Sequence, residues 1–303
     1  MKLIKNIALF ILTTIVVYLG VVWLMLRVDY QDKAMLYPAT GHIQPPGGQA
    51  WYMLHGFGQA DKYNLIIVGS SHAYRGYDPR IFDKAGYKTY NLGSSNQSMV
   101  NTYILVKHLI PAGWKGTLVL DIYEETLSNE SIESTANLIA NLPDAFIARE
   151  IAFAGYDIRN MNMLTARMMV SGEPEYEDDT YVTKGYCSRT DKRPSDFKKP
   201  EQPAFKVNEK ALEYFNKLLY LLHERKIDYV IVNAPAPSWE YEPRHDDFLK
   251  VVQHVINAYN ATFFDLAYGH DLSAGVYFYD ETHLNQSGVD IFNAEVIDRL
   301  KNR

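Results

Sequence analysis

The sequence predicts an α/β protein: a three-layered sandwich of helices around one five-stranded parallel sheet, carried behind a single N-terminal transmembrane helix. Three observations predict it. Five short runs rich in Ile, Val, Leu and aromatic residues alternate with helical stretches, and an uncharged apolar run stands near the amino terminus. The composition, 47% hydrophobic and 22% charged over 303 residues, is that of a chain able to bury a real core.

Residues 1–27 are expected to form a cytoplasmic tip and a membrane anchor. Residues 7–26 read IALFILTTIVVYLGVVWLML, and about 20 apolar residues at about 1.5 Å rise match a hydrocarbon layer of about 30 Å. No face of this run is polar, so it is not a surface helix of a soluble domain. A cleaved signal peptide is the competing reading, but the run is longer than an ordinary signal core. It also ends in Met25, Leu26 and Arg27 without a small-residue cleavage site. Lys2 and Lys5 precede it, which places the tip in the cytoplasm and the remainder outside; Arg27 and Lys33 partly offset that bias.

Residues 28–60 hold Pro38, Pro45, Pro46, Gly47 and Gly48 with no long period, and read as a stalk that packs on the domain. Residues 61–303 form that domain. Its strands are expected at residues 64–68 (NLIIV), 88–92 (KTYNL), 117–123 (TLVLDIY), 228–232 (DYVIV) and 261–266 (ATFFDL). Nearly continuous apolar strands separated by helices imply a parallel sheet buried on both faces. Helices are expected at residues 97–109, 134–147, 208–225, 244–259 and 287–300, with Asn208 and Ser287 placed to cap the third and the last. The result is a flavodoxin-like α/β/α sandwich. Residues 157–203, rich in charge, Tyr, Gly and Pro, interrupt the rhythm and read as a lid-like insertion or partner surface.

Composition also excludes functions. A net charge of −6 argues against a nucleic-acid binder, which needs a basic face to displace counterions. The single cysteine, Cys187, rules out a disulfide framework or a multi-cysteine metal site. His223, His245, His254 and His270 show no metal-ligand spacing. No strand end carries a glycine-rich phosphate cradle, which argues against a nucleotide binder. The 23 tyrosines suit sugar or headgroup surfaces but are also ordinary half-buried strand residues.

Ligands of open parallel sheets bind beyond the carboxyl ends of the strands. There the chain has Gly69-Ser70-Ser71-His72, Gly93-Ser94-Ser95-Asn96 and, near its end, Asp280-Glu281-Thr282-His283-Leu284-Asn285. A serine hydroxyl needs a base within reach, and the base needs an orienting group. D-x-x-H supplies both on one tight turn, with Asp280 as orienter and His283 as base. Each motif alone is a common turn or helix start. Their joint occurrence, at the first strand end and the last loop, points to a catalytic pair.

These blocks resemble those of the SGNH, or GDSL-like, hydrolase superfamily, over residues 64–300. The resemblance implies Ser71 as nucleophile, the matching residue of the G-D-S-like block, and Ser71 and Gly93 as backbone oxyanion donors. It also implies Asp280 and His283 as the D-x-x-H pair. The family's block-three asparagine is missing from LDIYEETLS at residues 120–128, and Asn96 is the substitute amide donor nearest along the chain. Losing one oxyanion donor costs about 100- to 1000-fold in turnover. The layout of anchor, G-S-S, Y-N-L-G and D-x-x-H-L-N is similar to that of extracytoplasmic proteins of D-alanyl transfer and polysaccharide O-acetylation. That likeness implies a membrane-anchored serine esterase or O-acyltransferase of cell-envelope polysaccharide or teichoic-acid-like polymers. Its partners would be the polymer or an acylated carrier and a membrane-bound acyltransferase, with no cofactor and no nucleic acid. A non-catalytic binding module that presents polymer or carrier is the alternative. Three further residues invite inspection. His72 adjoins the nucleophile but is expected to point away from it, and Glu124 and Glu125 stand where a cationic group could bind or where a loop end is solvated.

Overall fold

The five apolar runs become five strands in a computed structural model that describes residues 1–30, 32–40, 44–129, 132–170, 173–193, 204–237 and 243–303. They are β1 (Leu65–Val68), β2 (Thr89–Asn91), β3 (Thr117–Asp121), β4 (Asp228–Asn233) and β5 (Thr262–Asp265). All pairs are parallel, in the order β2-β1-β3-β4-β5. The order reverses between β1 and β3, which opens a crevice at their carboxyl ends. Side chains alternate across the pleat. Ile66, Val68, Leu118, Leu120 and Ile231 enter one core, and Leu65, Ile67, Val119, Val230 and Val232 the other.

In chain order the longer helices are α1 (Lys2–Met25), α2 (Gly48–Phe57), α3 (Ser71–Gly76), α4 (Pro79–Lys84), α5 (Met99–Leu109) and α6 (Glu124–Ser128). They continue as α7 (Ile132–Asn141), α8 (Ala145–Ala154), α9 (Ile158–Arg167), α10 (Glu209–Glu224), α11 (Pro243–Tyr259) and α12 (Gln286–Lys301). One face of the sheet is covered by α3, α4 and α12 through Ala73, Phe82, Val289 and Phe292. The other is covered by α5, α10 and α11, with α2, α7, α8 and α9 outside or beside them. Each large buried apolar side chain contributes about 1.5–3 kcal/mol.

Several expectations change in detail. The helix expected at residues 134–147 is two helices, because Leu142-Pro143-Asp144 breaks it. Pro143 cannot continue a helical ladder, and Asp144 accepts from Phe146 N and Ile147 N to start α8. Asn208 caps α10 as expected, its side chain accepting from Ala211 N. The last helix is capped by Asn285, not Ser287: Asn285 Oδ1 accepts from Gly288 N at 3.2 Å. Residues 28–60 contain helix α2, which buries Met53, Leu54 and Phe57, and a preceding turn that buries Leu36 and Tyr37. The stretch at 157–203 begins with α9, whose Met163 and Ala166 belong to the core, and then forms a small hairpin of Tyr181–Thr183 with Tyr186–Cys187. Its residues 171–172 and 194–203 lie outside the described residues.

Among the described residues one helix, α1, is long and apolar enough to cross a membrane. It is exposed almost throughout. It meets the domain only near its carboxyl end, where Val22 is buried and Tyr18 OH donates to Asn162 Oδ1 of α9 at 2.9 Å.

Candidate active site

Gly69 follows β1 with φ +153°, and a Cβ there would stand 2.8 Å from Asp121 O of β3. The chain therefore leaves the sheet tightly and starts α3 at once. Ser70 is the cap, its Oγ accepting from His72 N at 3.4 Å, and Ser71 is the first helical residue. A first-turn backbone N–H has no partner inside its own helix, so Ser71 presents both a hydroxyl and an amide at the crevice.

The second turn is pressed against this helix. A Cβ on Gly93 would lie 2.7 Å from Ala73 Cβ and 2.8 Å from Tyr74 N, so only glycine permits the approach. Asn91, fully buried at the end of β2, ties the two together. Its Nδ2 donates to Ala73 O at 2.8 Å and to Tyr77 O at 3.0 Å, while its Oδ1 accepts from Gly93 N at 3.0 Å. This alters one expectation: the Gly93 N–H is engaged by Asn91, and the next, Ser94 N, donates to Gly69 O. Asn96 follows in the left-handed conformation, φ 46°.

The third loop closes the arrangement. Asp280 Oδ1 accepts from Thr282 N at 3.0 Å and from His283 N at 2.8 Å, which folds D-E-T-H into a tight turn. Tyr279 N donates to His283 O and holds the loop from outside. The same carboxylate then faces its own histidine ring, with Nδ1 at 2.8 Å from Oδ2 and 3.0 Å from Oδ1. With the proton on Nδ1, the other nitrogen is an acceptor, and His283 Nε2 lies 2.7 Å from Ser71 Oγ. Ser71, His283 and Asp280, 212 positions apart at the extremes of the Ser–His bond, thus form one hydrogen-bonded series. Burial pushes the Asp280 carboxyl up, but the hydrogen bonds and charge of His283 outweigh it and hold the group down at about 2. It is a carboxylate at any ordinary pH.

The two Ser-Ser turns are distinguished by their partners. Ser95 Oγ donates to Glu133 Oε1 at 2.7 Å, on α7, and not to a histidine. His72, expected to point away from the site, instead lies beside it, its ring 5.1 Å from that of His283 and 4.1 Å from that of Tyr123. Both its ring nitrogens are buried without a hydrogen-bond partner. Burial, and then the neighbouring His283, lower its pKa to about 3, so the ring stays neutral. Tyr279 stacks on His283 at 5.7 Å, and Arg75 and Arg189 lie over the Tyr279 ring.

Glu124 and Glu125 are already engaged by cationic side chains of the protein, with Glu124 14% and Glu125 32% exposed. Glu124 Oε1 lies 2.8 Å from Nδ1 of the buried His245, and Glu125 pairs with Arg244. Cys187 is buried, which pushes its thiol up to about 12 and keeps it from being a thiolate. Sequence reasoning missed Asn91 and Gln286. Gln286 Oε1 accepts from Ser188 Oγ at 2.6 Å and Tyr186 OH at 3.0 Å, and Gln286 N donates to Arg189 O, which straps residues 186–189 to the His283 loop. The one available signal was a polar residue inside the YNLG strand end and directly after D-x-x-H-L-N.

No family model matches this chain, and no curated protein does. Its structural neighbours include lipolytic proteins and lipases of the G-D-S-L type and acetyl xylan esterases. A GDSL-like lipase from Parabacteroides merdae is 12% identical and aligns over 79% of this chain and 95% of its own, with a TM-score of 0.43. A lipolytic protein of the G-D-S-L family from Desulfitobacterium hafniense is 8% identical over 78% and 98%, with a TM-score of 0.42. An acetyl xylan esterase is 12% identical over 78% and 98%, also with a TM-score of 0.42.

Proposed function

We propose that this chain is a membrane-anchored SGNH-type serine esterase or O-acyltransferase acting on acyl esters of cell-envelope polysaccharide or teichoic-acid-like polymers. The observation that carries the chemistry is the 2.7 Å approach of His283 Nε2 to Ser71 Oγ, with Asp280 on the opposite ring nitrogen. Ser71 Oγ attacks the ester carbonyl carbon while its proton passes to His283 Nε2. Asp280 stabilises the imidazolium that forms. The carbonyl oxygen, now an oxyanion, is held by the Ser71 N–H and by the amide groups of Asn96, since Gly93 N is already bonded to Asn91. As the tetrahedral adduct collapses, the ester C–O bond breaks. The leaving alcohol takes the proton from His283, and an acyl-Ser71 ester remains. Water or a polymer hydroxyl then attacks that ester with His283 again as base, and the two acceptors define hydrolase and transferase. The layout of α1 ahead of the domain supports an acceptor at the cell surface.

A binding-module reading draws support from the missing block-three asparagine, and one experiment separates the two. Purified full-length chain in detergent is exposed to an activated acetyl ester and weighed intact. The expected outcome is one added acetyl group, absent in Ser71→Ala and retained in Ser95→Ala. His283→Ala should slow acylation by on the order of 10³-fold or more. Unchanged acylation in folded Ser71→Ala and His283→Ala would remove the enzyme reading.

A further inference from the structure

The apolar helix and the domain it carries overlap in depth. Tyr18 is the first residue of α1 to touch α9, donating to Asn162 Oδ1 and lying 3.2 Å from Thr165 Oγ1. Val22, one turn on, is buried against the same region. Counted from Lys5, the last charged residue before the apolar run, Tyr18 lies only about 20 Å along a helix rising about 1.5 Å per residue. A hydrocarbon layer is about 30 Å thick, and tilt would shorten the reach further. The span is therefore incomplete where the domain begins. It is completed by the last two turns of α1, whose Leu19, Trp23 and Leu24 remain exposed on the side away from α9. The edge of the domain beside those turns stands at the level of the headgroups or below them.

A domain edge at that depth needs apolar side chains facing outward, and this one has them. Phe153, Tyr156 and Ile158, at the turn from α8 into α9, are 58%, 92% and 67% exposed. They lie on the side from which α1 arrives. Past α1 the chain doubles back, Met35 N donating to Val28 O; Thr40 Oγ1 then donates to Met163 Sδ at 3.6 Å, and Tyr37 lines one cavity with Met163, Arg167 and Val170. The carboxyl ends of α1 and α9 are thus on one side, and the 153–158 turn is on the other, toward the amino-terminal half of α1. Basic groups border it: Arg159, ion-paired with Asp157 of the same turn, follows Ile158, and Lys210 Nζ lies 5.6 Å from the centre of the Tyr156 ring. Apolar tips flanked by long basic side chains suit the boundary between acyl chains and headgroups.

We infer that the turn formed by Phe153, Tyr156 and Ile158 inserts into the outer lipid boundary beside α1, so that the domain is seated on the bilayer by two contacts and not tethered by one. The occupant of this patch is lipid. The inference rests on the reading of α1 as a membrane span. Two contacts fix the orientation of a domain where one helix and a loop would leave it free to swing, and the Ser71–His283 crevice then keeps a constant height above the membrane.

The test uses the full-length chain in vesicles of phosphatidylcholine with phosphatidylglycerol. A bimane label is placed at Leu12→Cys within α1, at Tyr156→Cys in the turn, and at Lys301→Cys. Lys301 ends α12 beside Arg303, which bonds Thr117 and Asp228 at the amino ends of β3 and β4, the opposite edge of the sheet. Buried Cys187 leaves the wild type as the unlabelled control. With acyl-brominated lipid, Leu12 and Tyr156 labels should lose most of their emission and the Lys301 label should keep it. A quenched Leu12 with Tyr156 as bright as Lys301 overturns the lipid contact while leaving the anchor standing, and assigns the patch to a protein partner. Quenching of all three alike also overturns it, because the seating would have no direction. A bright Leu12 overturns the anchor itself, and the inference with it.

Discussion

Asn91 and Gly93 do their work through backbone and not through chemistry. A buried amide side chain that satisfies the Ala73 carbonyl of α3, the Tyr77 carbonyl just past its end and one N–H of the next turn fixes where Ser71 points. Leaving such groups unpaired would cost about 1–3 kcal/mol each. Gly93→Ala forces a Cβ into Ala73 Cβ and Tyr74 N. Overpacking of that kind costs about 1–3 kcal/mol, and the shift it imposes on α3 should slow acylation of Ser71 as well. A urea midpoint and an acylation rate measured on the same variant check both; an unchanged midpoint would mean that the turn yields easily. His72 makes a second residue-scale case. Its folded pKa, about 3, lies below the ordinary value of 6.5. The unfolded chain therefore binds a proton that the folded chain refuses, and stability falls as pH drops from about 6.5 toward 3. His72→Phe removes that proton. The variant should lose less stability than the wild type over that acid window, measured as the difference between their urea midpoints at pH 7 and pH 5. Equal losses would show that the ring is protonated in the fold.

At the scale of elements, the carboxyl edge of the sheet is clasped away from the triad. His245 on α11 lies 2.8 Å from Glu124 Oε1 on α6 and 3.1 Å from Asp265 Oδ2 at the end of β5. Burial opposes its charge, but the hydrogen bonds and charges of Asp265 and Glu124 prevail and raise its pKa to about 9. The sign follows from linkage: the folded state holds a proton that the unfolded state releases near 6.5. This contribution is complete below about pH 6.5 and is lost as pH rises through 9. Stability of the wild type should therefore decline from pH 7 to pH 9.5, and His245→Gln should be less stable at pH 7 and flatter across the window. A parallel decline in both would place the alkaline loss elsewhere. This clasp was not legible in the sequence, because its members stand at positions 124, 245 and 265 and only the fold unites them. Strands β1 to β4 were legible because each is a short run largely buried on both faces, whereas the edge strand β5, with Phe263 and Phe264 only half-buried, was marked by its aromatics. The D-x-x-H turn was legible because its partners are three residues apart. Helix α9 was hidden in a stretch whose charge, Gly and Pro suggested an excursion, since its core contacts come from scattered residues such as Met163 and Ala166. Glu124 and Glu125 were misread for the same reason as the clasp: their cations arrive from far along the chain.

For the whole molecule, the side of the membrane on which the domain would sit turns on few charges. Lys2 and Lys5 stand before the apolar run, and Arg27 and Lys33 after it. Basic residues near the ends of a span are retained on the cytoplasmic side, and acids count for little in that bias. The proposed topology has the tail inside and residues 28–303 outside, with Lys33 the farthest of the four from the apolar run; in that arrangement the proposed acyl-transfer site would meet a cell-surface polymer. Protease added to intact cells, with any outer membrane made permeable, should then remove the domain and leave a short membrane-bound fragment. Moving the bias tests the cause as well as the outcome: Lys2→Glu together with Lys5→Glu should produce a protected fraction, because the retained flank would then be the one bearing Arg27 and Lys33. A domain protected in the wild type until the inner membrane is opened would reverse the topology, and with it the proposal that the acceptor is a polymer of the cell envelope.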